Sequence, residues 1–329
     1  MPVGGLSESY AALHDAVMGF LTEAVPPRHA ALKVLPGITR IVASNPGVMT
    51  YHGTNTYLVE RPDGLVVVDP GPEDAGHVAD ILAAAGTVPV SLILLTHTHA
   101  DHSGAASALK AACGAKLAGF AKPVRDELAP DIPMGEGDKI NGFTALHTPG
   151  HAADHLCFAF IGATGEQLLF SGDHVMSWSS SVVSPPDGDM ADYYRSLQRL
   201  LQRQEDAFLP GHGPLLRNPR ELTANMLAHR QKREATLVMA LAQHDWSVAG
   251  LAAKLYAKQD LFLKAAAQRN VLAHLLKLKA DGMVKEMPPE TAEHPDNIAM
   301  AALAAHSETW RIRVARMQRD AKRRFSLVA

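Results

Sequence analysis

The chain has 329 residues, 47% hydrophobic and 20% charged, with a formal net charge of −3. This is the composition of a soluble globular protein, long enough for one large domain and a smaller one. It excludes a disordered chain, and no apolar run approaches the roughly 18 residues of a membrane span. The two cysteines, Cys113 and Cys157, form no disulfide framework, so a reducing cytoplasm is the expected compartment.

The N-terminal stretch "SESYAALHDAVMGFLTEAVPP" has apolar residues at helical spacing but carries Glu8, Asp15 and Glu23. It predicts an amphipathic surface helix and no export signal. Residues 38–43 and 55–60 read as strands, followed by the turn "RPDG" and the apolar strand "LVVVD" ending at Asp69. "AGHVADILAAAG" predicts a helix stopped by Gly86, and "VSLILLT" a buried strand. "SGAASALKAACG" predicts a helix capped by Ser103 and stopped by Gly114. Strands recur at "FTALHT", "HLCFAFI" and "QLLFSGD", then come a Ser/Pro loop, the helix "MADYYRSLQRLLQR" and the short strand "DAFLPG". This alternation indicates an α/β layered domain.

From about Glu221 the pattern turns helical. "ELTANMLAHRQKREATLVMALA", "SVAGLAAKLY" and "KAAAQRNVLAHLLKLKADG" are predicted helices, and "MVKE" a short wing, the layout of a winged helix. The tail reads as an acidic Pro-rich linker and a helix "WRIRVARMQRDAKRR". Charge breaks at the same place. Residues 1–219 hold 13 basic against 23 acidic side chains, a net of −10, and residues 220–285 hold 11 against 5, a net of +6. The expected organisation is an N-terminal extension (1–35), a catalytic domain (36–220), a winged-helix domain (221–286) and a C-terminal linker and helix (287–329).

One stretch calls for a chemical explanation. "THTHADHSGA" places His97, His99, Asp101 and His102 at a strand end, where they gain nothing by packing. Imidazole and carboxylate are ligands of first-row metals, and a tetrahedral zinc site needs about four of them. One run supplies too few for two sites, so further ligands are expected elsewhere. Three turns offer them: "HTPGH" with His151, "FSGDH" with Asp173 and "LPGHGP" with His212, each beside a strand end and a small or turn residue.

In type and order, these seven residues resemble the metal motifs of the metallo-β-lactamase superfamily. "NPGVMTYHGTNTYLV", "VDPG", "TPGHAADH", "DMADYYRSLQRL", "PGHGP" and "RNVLAHLLKLKADG" resemble its beta-lactamase-like protein two subfamily, over roughly residues 36–286. The resemblance implies an αββα sandwich followed by a small helical winged-helix domain, with two zinc ions per chain at the rim of the sandwich. It implies that His97, His99 and His151 hold one zinc, that Asp101, His102 and His212 hold the other, and that Asp173 bridges them. Asp69 would fix a ligand imidazole. Asp101 and Asp173 would also orient the nucleophile, a hydroxide shared by the two metals.

His147 is expected to pack on its strand, and His155 and His174 to support ligands or line the surface. "GTN" at 53–55 is expected to be a tight turn shaping the floor of the site. The loop "MSWSSSVVSPPDGD" is expected to line the substrate cleft, with Trp178 as a stacking or packing residue. The favoured function is hydrolysis of a small acyl ester-like substrate, a thioester or a lactone. The alternatives are an endoribonuclease acting on single-stranded RNA, with Arg269 and its neighbours meeting phosphates, and a winged-helix binding protein whose metal site is not catalytic. The acidic catalytic region weighs against RNA.

Overall fold

The computed structural model describes residues 19–257, 261–289 and 308–328. Most of the expected N-terminal helix and of the Pro-rich linker lies outside them; from Gly19 to Pro27 the chain is irregular. The described residues form two compact units, 19–181 with 192–226, and 182–191 with 227 onward. No described helix is long and apolar enough to cross a membrane.

The first unit is a sandwich of two sheets. One has seven strands in chain order: β1 (Leu32–Leu35), β2 (Ile38–Val42), β3 (Asn55–Arg61), β4 (Gly64–Val68), β5 (Val90–Leu94), β6 (Lys116–Phe120) and β7 (Ile132–Met134). Pairing is antiparallel from β1 to β4 and parallel from β4 to β7. The second sheet has β8 (Lys139–Ile140), β9 (Phe143–His147), β10 (Leu156–Ile161), β11 (Gln167–Gly172), β12 (Ala207–Pro210) and β13 (Leu216–Arg217), in the order 13-12-11-10-9-8.

Side-chain alternation builds the layers. Val66 and Val68 of β4 join Leu92 and Leu94 of β5 in the core between the sheets, against Phe143, Phe158, Phe160, Phe170 and Leu209. Their neighbours Leu65, Val67 and Ile93 face the other way, onto α1 (Ala75–Ala85) and α3 (Ala106–Cys113), through Val78, Ile81 and Leu109. Strands buried on both faces read as continuous apolar runs, which is why "LVVV" and "SLILL" show no alternation in sequence. Over the second sheet, α4 (Met190–Leu200) ties Ser196 to the Pro149 carbonyl and Arg199 to the His147 carbonyl. Helix, sheet, sheet, helix is the expected αββα order.

Two local expectations fail. Ser103 caps no helix: it ends the short α2 (Ala100–Ser103), and its hydroxyl is within hydrogen-bond distance of the Thr98 and His99 carbonyls. The cap the sequence reading missed is Asp74, which accepts from the Gly76 N–H at the start of α1. Gly86 and Gly114 do end their helices, both at positive φ, 58° and 73°, with Gly114 in the left-handed helical conformation.

The second unit holds most of α5 (Pro219–Leu241), then β14 (Trp246–Ser247), α6 (Val248–Leu255), α7 (Leu261–Ala280), β15 (Val284–Met287), α8 (Glu308–Ala321) and β16 (Arg324–Leu327). Its small sheet has the order β14-β16-β15, so the middle strand comes from the tail. The sequence reading did not anticipate β16. Four residues behind a basic run show no usable periodicity, yet Phe325 is fully buried among Val248, Leu251, Leu272 and Val284. The second half of the Ser/Pro loop belongs to this unit, with the Val183 N–H donating to Asn270 and Arg269 donating to Ser184 and the Pro185 carbonyl.

His274 makes this unit sensitive to acid. Burial pushes its imidazole down to about 4, Glu234 at 3.5 Å opposes the shift, and Arg230 and Arg233 add to it. Its folded value lies below the unfolded value, so stability is full above about 6.5 and is lost as pH falls toward 4, by about 3 kcal/mol in all. Thermal unfolding at pH 7.5 and pH 5 should show the parent losing about 2 kcal/mol more than His274→Gln. Equal losses in the two proteins would refute this account.

Candidate metal centre

Five strand ends meet at one rim of the sandwich. Asp69 follows β4, His97 and His99 follow β5, and Asp101 and His102 stand on α2. His151 comes after β9, Asp173 after β11 and His212 after β12. Strand termini concentrate polar side chains where main-chain pairing stops and core packing no longer requires apolar groups.

The seven residues singled out in the sequence are all brought together there. Candidate ligand atoms of His97, His99 and His151 lie within 4.8 Å of one another, as do those of Asp101, His102 and His212, and those of Asp173 with His97 and His102. His99 Nδ1 is 3.0 Å from both His97 Nε2 and His151 Nε2. His102 Nε2 and His212 Nε2 are 3.3 Å apart. Asp173 faces both groups: Oδ1 is 3.4 Å from His102 Nε2, and Oδ2 is 3.5 Å from His212 Nε2 and 3.6 Å from His151 Nε2. Asp101 Oδ2 is 3.3 Å from His212 Nε2 and 3.5 Å from His102 Nε2.

The partners behind these rings decide whether a cation fits. His102 donates from Nδ1 to Asp69 Oδ2 at 2.9 Å. Asp69 also accepts from the Thr96 N–H at 2.8 Å and the Thr96 hydroxyl at 2.7 Å. That hydroxyl oxygen, its proton committed, accepts from His97 Nδ1 at 3.0 Å. His212 Nδ1 faces the Gly53 carbonyl at 3.3 Å. Three imidazoles thus donate outward and turn Nε2 lone pairs inward, against two carboxylates. Converging lone pairs repel unless a cation or protons lie between them, so the donor set fits metal ions of the kind that imidazole and carboxylate bind.

The electrostatics agree. Burial opposes charge on His102 and His212, yet Asp173 and Asp101 prevail, raising His102 well above its usual range and His212 to about 9. Burial likewise opposes the charged carboxylates, but His102 and His212 hold Asp101 and Asp173 well below the usual range. His97 is pushed well down, by burial first and then by His102, His99 and His151. Backbone crowds the centre as well. A Cβ on Gly211 would stand 2.5 Å from His102 Cε1 and 2.6 Å from Asp173 Oδ1, so only glycine fits beside His212.

Other candidates separate cleanly. His147 stays on its strand, with Nε2 3.0 Å from the Ala153 carbonyl and its ring stacked on Phe120. His155 is buried behind the centre, where its Nε2 accepts from the Asp173 N–H at 3.2 Å and its Nδ1 pairs with Thr148. His174 is fully buried, burial pushes it down to about 3, and neither ring nitrogen has a hydrogen-bond partner among the described residues. Trp178 stacks on Tyr51 at 4.8 Å and leaves no room for a side chain at Gly213, the packing role. The sequence reading missed Thr96 and Asp154; the latter is buried and accepts from the Thr98 hydroxyl at 2.5 Å, between His97 and His99. Both lie within the quoted motifs, but their carboxylate pairings, Thr96 with Asp69 across 27 positions and Asp154 with Thr98 across 56, leave no mark in local spacing.

Comparison with known proteins agrees with the geometry. The profile of the Metallo-beta-lactamase superfamily matches residues 49–130 and 121–212, and that of the Beta-lactamase associated winged helix domain matches 247–289. The chain is 30% identical to the Beta-lactamase-like protein 2 homolog of Caenorhabditis elegans, over 79% of this chain and 90% of the relative. It is 31% identical to an atrochrysone carboxyl ACP thioesterase of Aspergillus chevalieri, over 69% of this chain and 72% of the relative. A crystal structure of a beta-lactamase domain protein from Burkholderia ambifaria shares the fold, with a TM-score of 0.68 at 22% identity over 93% of this chain and 96% of that one. The chain belongs to the metallo-β-lactamase superfamily and is a hydrolase of it, with a C-terminal winged helix.

Proposed function

We propose that this hydrolase carries two zinc ions and cleaves acyl ester-like bonds, a thioester or a lactone. The observation that carries the reading is the pair of donor groups, His97/His99/His151 and Asp101/His102/His212, facing each other across Asp173. What bound zinc supplies is a hydroxide nucleophile at neutral pH and polarisation of the substrate carbonyl, because it lowers the pKa of water from about 15.7 to near 7.

The chain's own residues do the rest. Asp69 holds the His102 ring through Nδ1 and, by way of Thr96, the His97 ring, so both present Nε2 without rearranging. Asp173, buried, orients the nucleophile between the two halves. Asp101, whose side chain is 31% exposed, is held ionised by His102 and His212 and would help to hold the metal and orient the nucleophile as a hydrogen-bond acceptor.

Two observations favour an acyl substrate over RNA. A relative at 31% identity is named as a thioesterase. Three of the eleven cations of the +6 segment, the ones nearest the proposed phosphate contacts, are also engaged within their own unit: Arg269 is buried on Asp320, Lys277 binds Glu234 and Asp281, and Lys279 binds Glu286. Cations paired in this way offer little net charge to a polyanion.

The test is zinc-loaded protein assayed side by side on acyl-thioesters, lactones and single-stranded RNA. Turnover of a thioester or lactone, abolished by chelation and restored by zinc, is expected. Salt-sensitive RNA cleavage with no acyl turnover would overturn the substrate assignment.

A further inference from the structure

We propose that Asn55 is a positioning residue for His212, the centre of a buried clamp on the turn Pro210–Gly213. The proposal rests on the reading of His212 as a metal ligand.

His212 follows β12, where sheet pairing stops and the carbonyls of the turn lose their strand partners. Asn55, at the start of β3 in the opposite sheet and 1% exposed, supplies donors to three of them. Its side-chain Nδ2 donates to the Pro210 carbonyl at 2.9 Å and the Gly213 carbonyl at 2.8 Å, and its main-chain N–H donates to the Gly211 carbonyl at 2.8 Å. One residue therefore holds the carbonyls on both sides of His212. A primary amide suits the task, since a single nitrogen offers two N–H groups; aspartate offers none and serine offers one.

Neighbouring groups reinforce the grip. Tyr57, also buried, donates its hydroxyl to the Pro210 carbonyl at 2.9 Å. Arg40 donates to the Gly213 carbonyl at 3.1 Å and is itself held by Glu23 at 2.8 Å. Gly53 turns its own carbonyl to His212 Nδ1, in a conformation with φ 136° where a Cβ would stand 2.0 Å from the Ala43 carbonyl oxygen, so no other residue fits there. Thr54 completes the contact through a main-chain bridge to His212. The motif "GTN" is thus the surface on which the His212 turn is cast. A ligand ring held this way meets its ion without reordering its backbone, which is where the clamp contributes affinity.

The experiment is cobalt(II) titration of the metal-free full-length chain, followed by visible absorption and by metal content per chain. The parent is compared with Asn55→Asp, Asn55→Ser, Tyr57→Phe and His212→Ala. Asn55→Asp keeps the size but sets an acceptor against two carbonyls. It should leave the first equivalent unchanged and weaken the second by about 10–100-fold, with an altered cobalt spectrum. Asn55→Ser, which returns one donor, should fall between Asn55→Asp and the parent. Tyr57→Phe removes one reinforcing hydrogen bond and should weaken the second equivalent by about 3–10-fold. In zinc-loaded Asn55→Asp, kcat should fall while KM stays within about threefold, because the substrate does not touch this residue.

Parent-like cobalt binding by Asn55→Asp overturns the proposal. If the Asn55 variants do not fold, unchanged second-equivalent binding by Tyr57→Phe overturns it instead. His212→Ala separates the two readings. If that variant still binds both equivalents like the parent, His212 is not a ligand. If it loses one while Asn55→Asp does not, only the clamp fails.

Discussion

Asp173→Ala is expected to leave the protein with one metal ion or fewer per chain and to lower kcat/KM by about 10³-fold or more, beyond the 10–100-fold typical of losing a group behind a ligand. Among the described residues, Asp173 is the one whose two carboxylate oxygens reach both groups, His102 through Oδ1 and His151 and His212 through Oδ2. Its side chain cannot be replaced by rearrangement, because Gly211 backs onto Oδ1 and His155 pins the Asp173 main chain. Asp173→Asn, close in shape but neutral, should retain the fold and still lose most of the metal. Elemental analysis of both variants beside a thioester assay reads the outcome. Two metals per chain and parental activity in Asp173→Ala would remove the basis of the two-metal mechanism.

The two histidines of "HTPGH" should part company almost completely. His151→Ala removes an Nε2 that lies 3.0 Å from His99 Nδ1 and faces Asp173, so the first metal position should empty and activity fall by about 10³-fold. His147→Ala removes a ring stacked on Phe120 at 4.3 Å and hydrogen-bonded near the Ala153 carbonyl, both away from the centre. Its expected cost is about 1–2 kcal/mol of stability, with kcat/KM within about threefold of the parent. Metal content, activity and Tm measured on both variants decide the matter. A reversed pattern, with His147→Ala inactive and His151→Ala active, would show that the third donor of the first group is misplaced.

Both results depend on an arrangement that was partly legible in the chain itself. The seven donor residues could be singled out because a His-x-His-x-Asp-His run, and a lone histidine or aspartate between turn residues, are costly placements with no packing return. The β4 and β5 strands and the helices stopped by Gly86 and Gly114 were legible for a related reason: apolar runs and glycines at positive φ are local signals, set by nearest neighbours. The same holds for the α/β layering and for the helix, helix and wing of the C-terminal unit.

Most of what surrounds the donors was decided only by tertiary structure. Asp69 was expected to fix a ligand imidazole, but only the fold shows that the ring is His102, 33 positions away; Asn55 reaches Pro210 and Gly213 across more than 150, and Asp154 reaches Thr98 across 56. A hydrogen bond between residues so far apart leaves no periodicity in either segment. The strand Arg324–Leu327 pairs with both β14 and β15 and buries Phe325, contacts that no local pattern in its four residues announces. The cations of the +6 segment showed the limit most directly. Counted along the chain they suggested a surface for phosphates; in the fold, Arg269, Lys277 and Lys279 are tied to Asp320, Glu234, Asp281 and Glu286. The sequence by itself determined which residues could bind metal, because ligand chemistry belongs to the side chain. Which rings turn their lone pairs inward, and which charges remain free to meet a partner, is set by contacts that exist only once remote segments pack together.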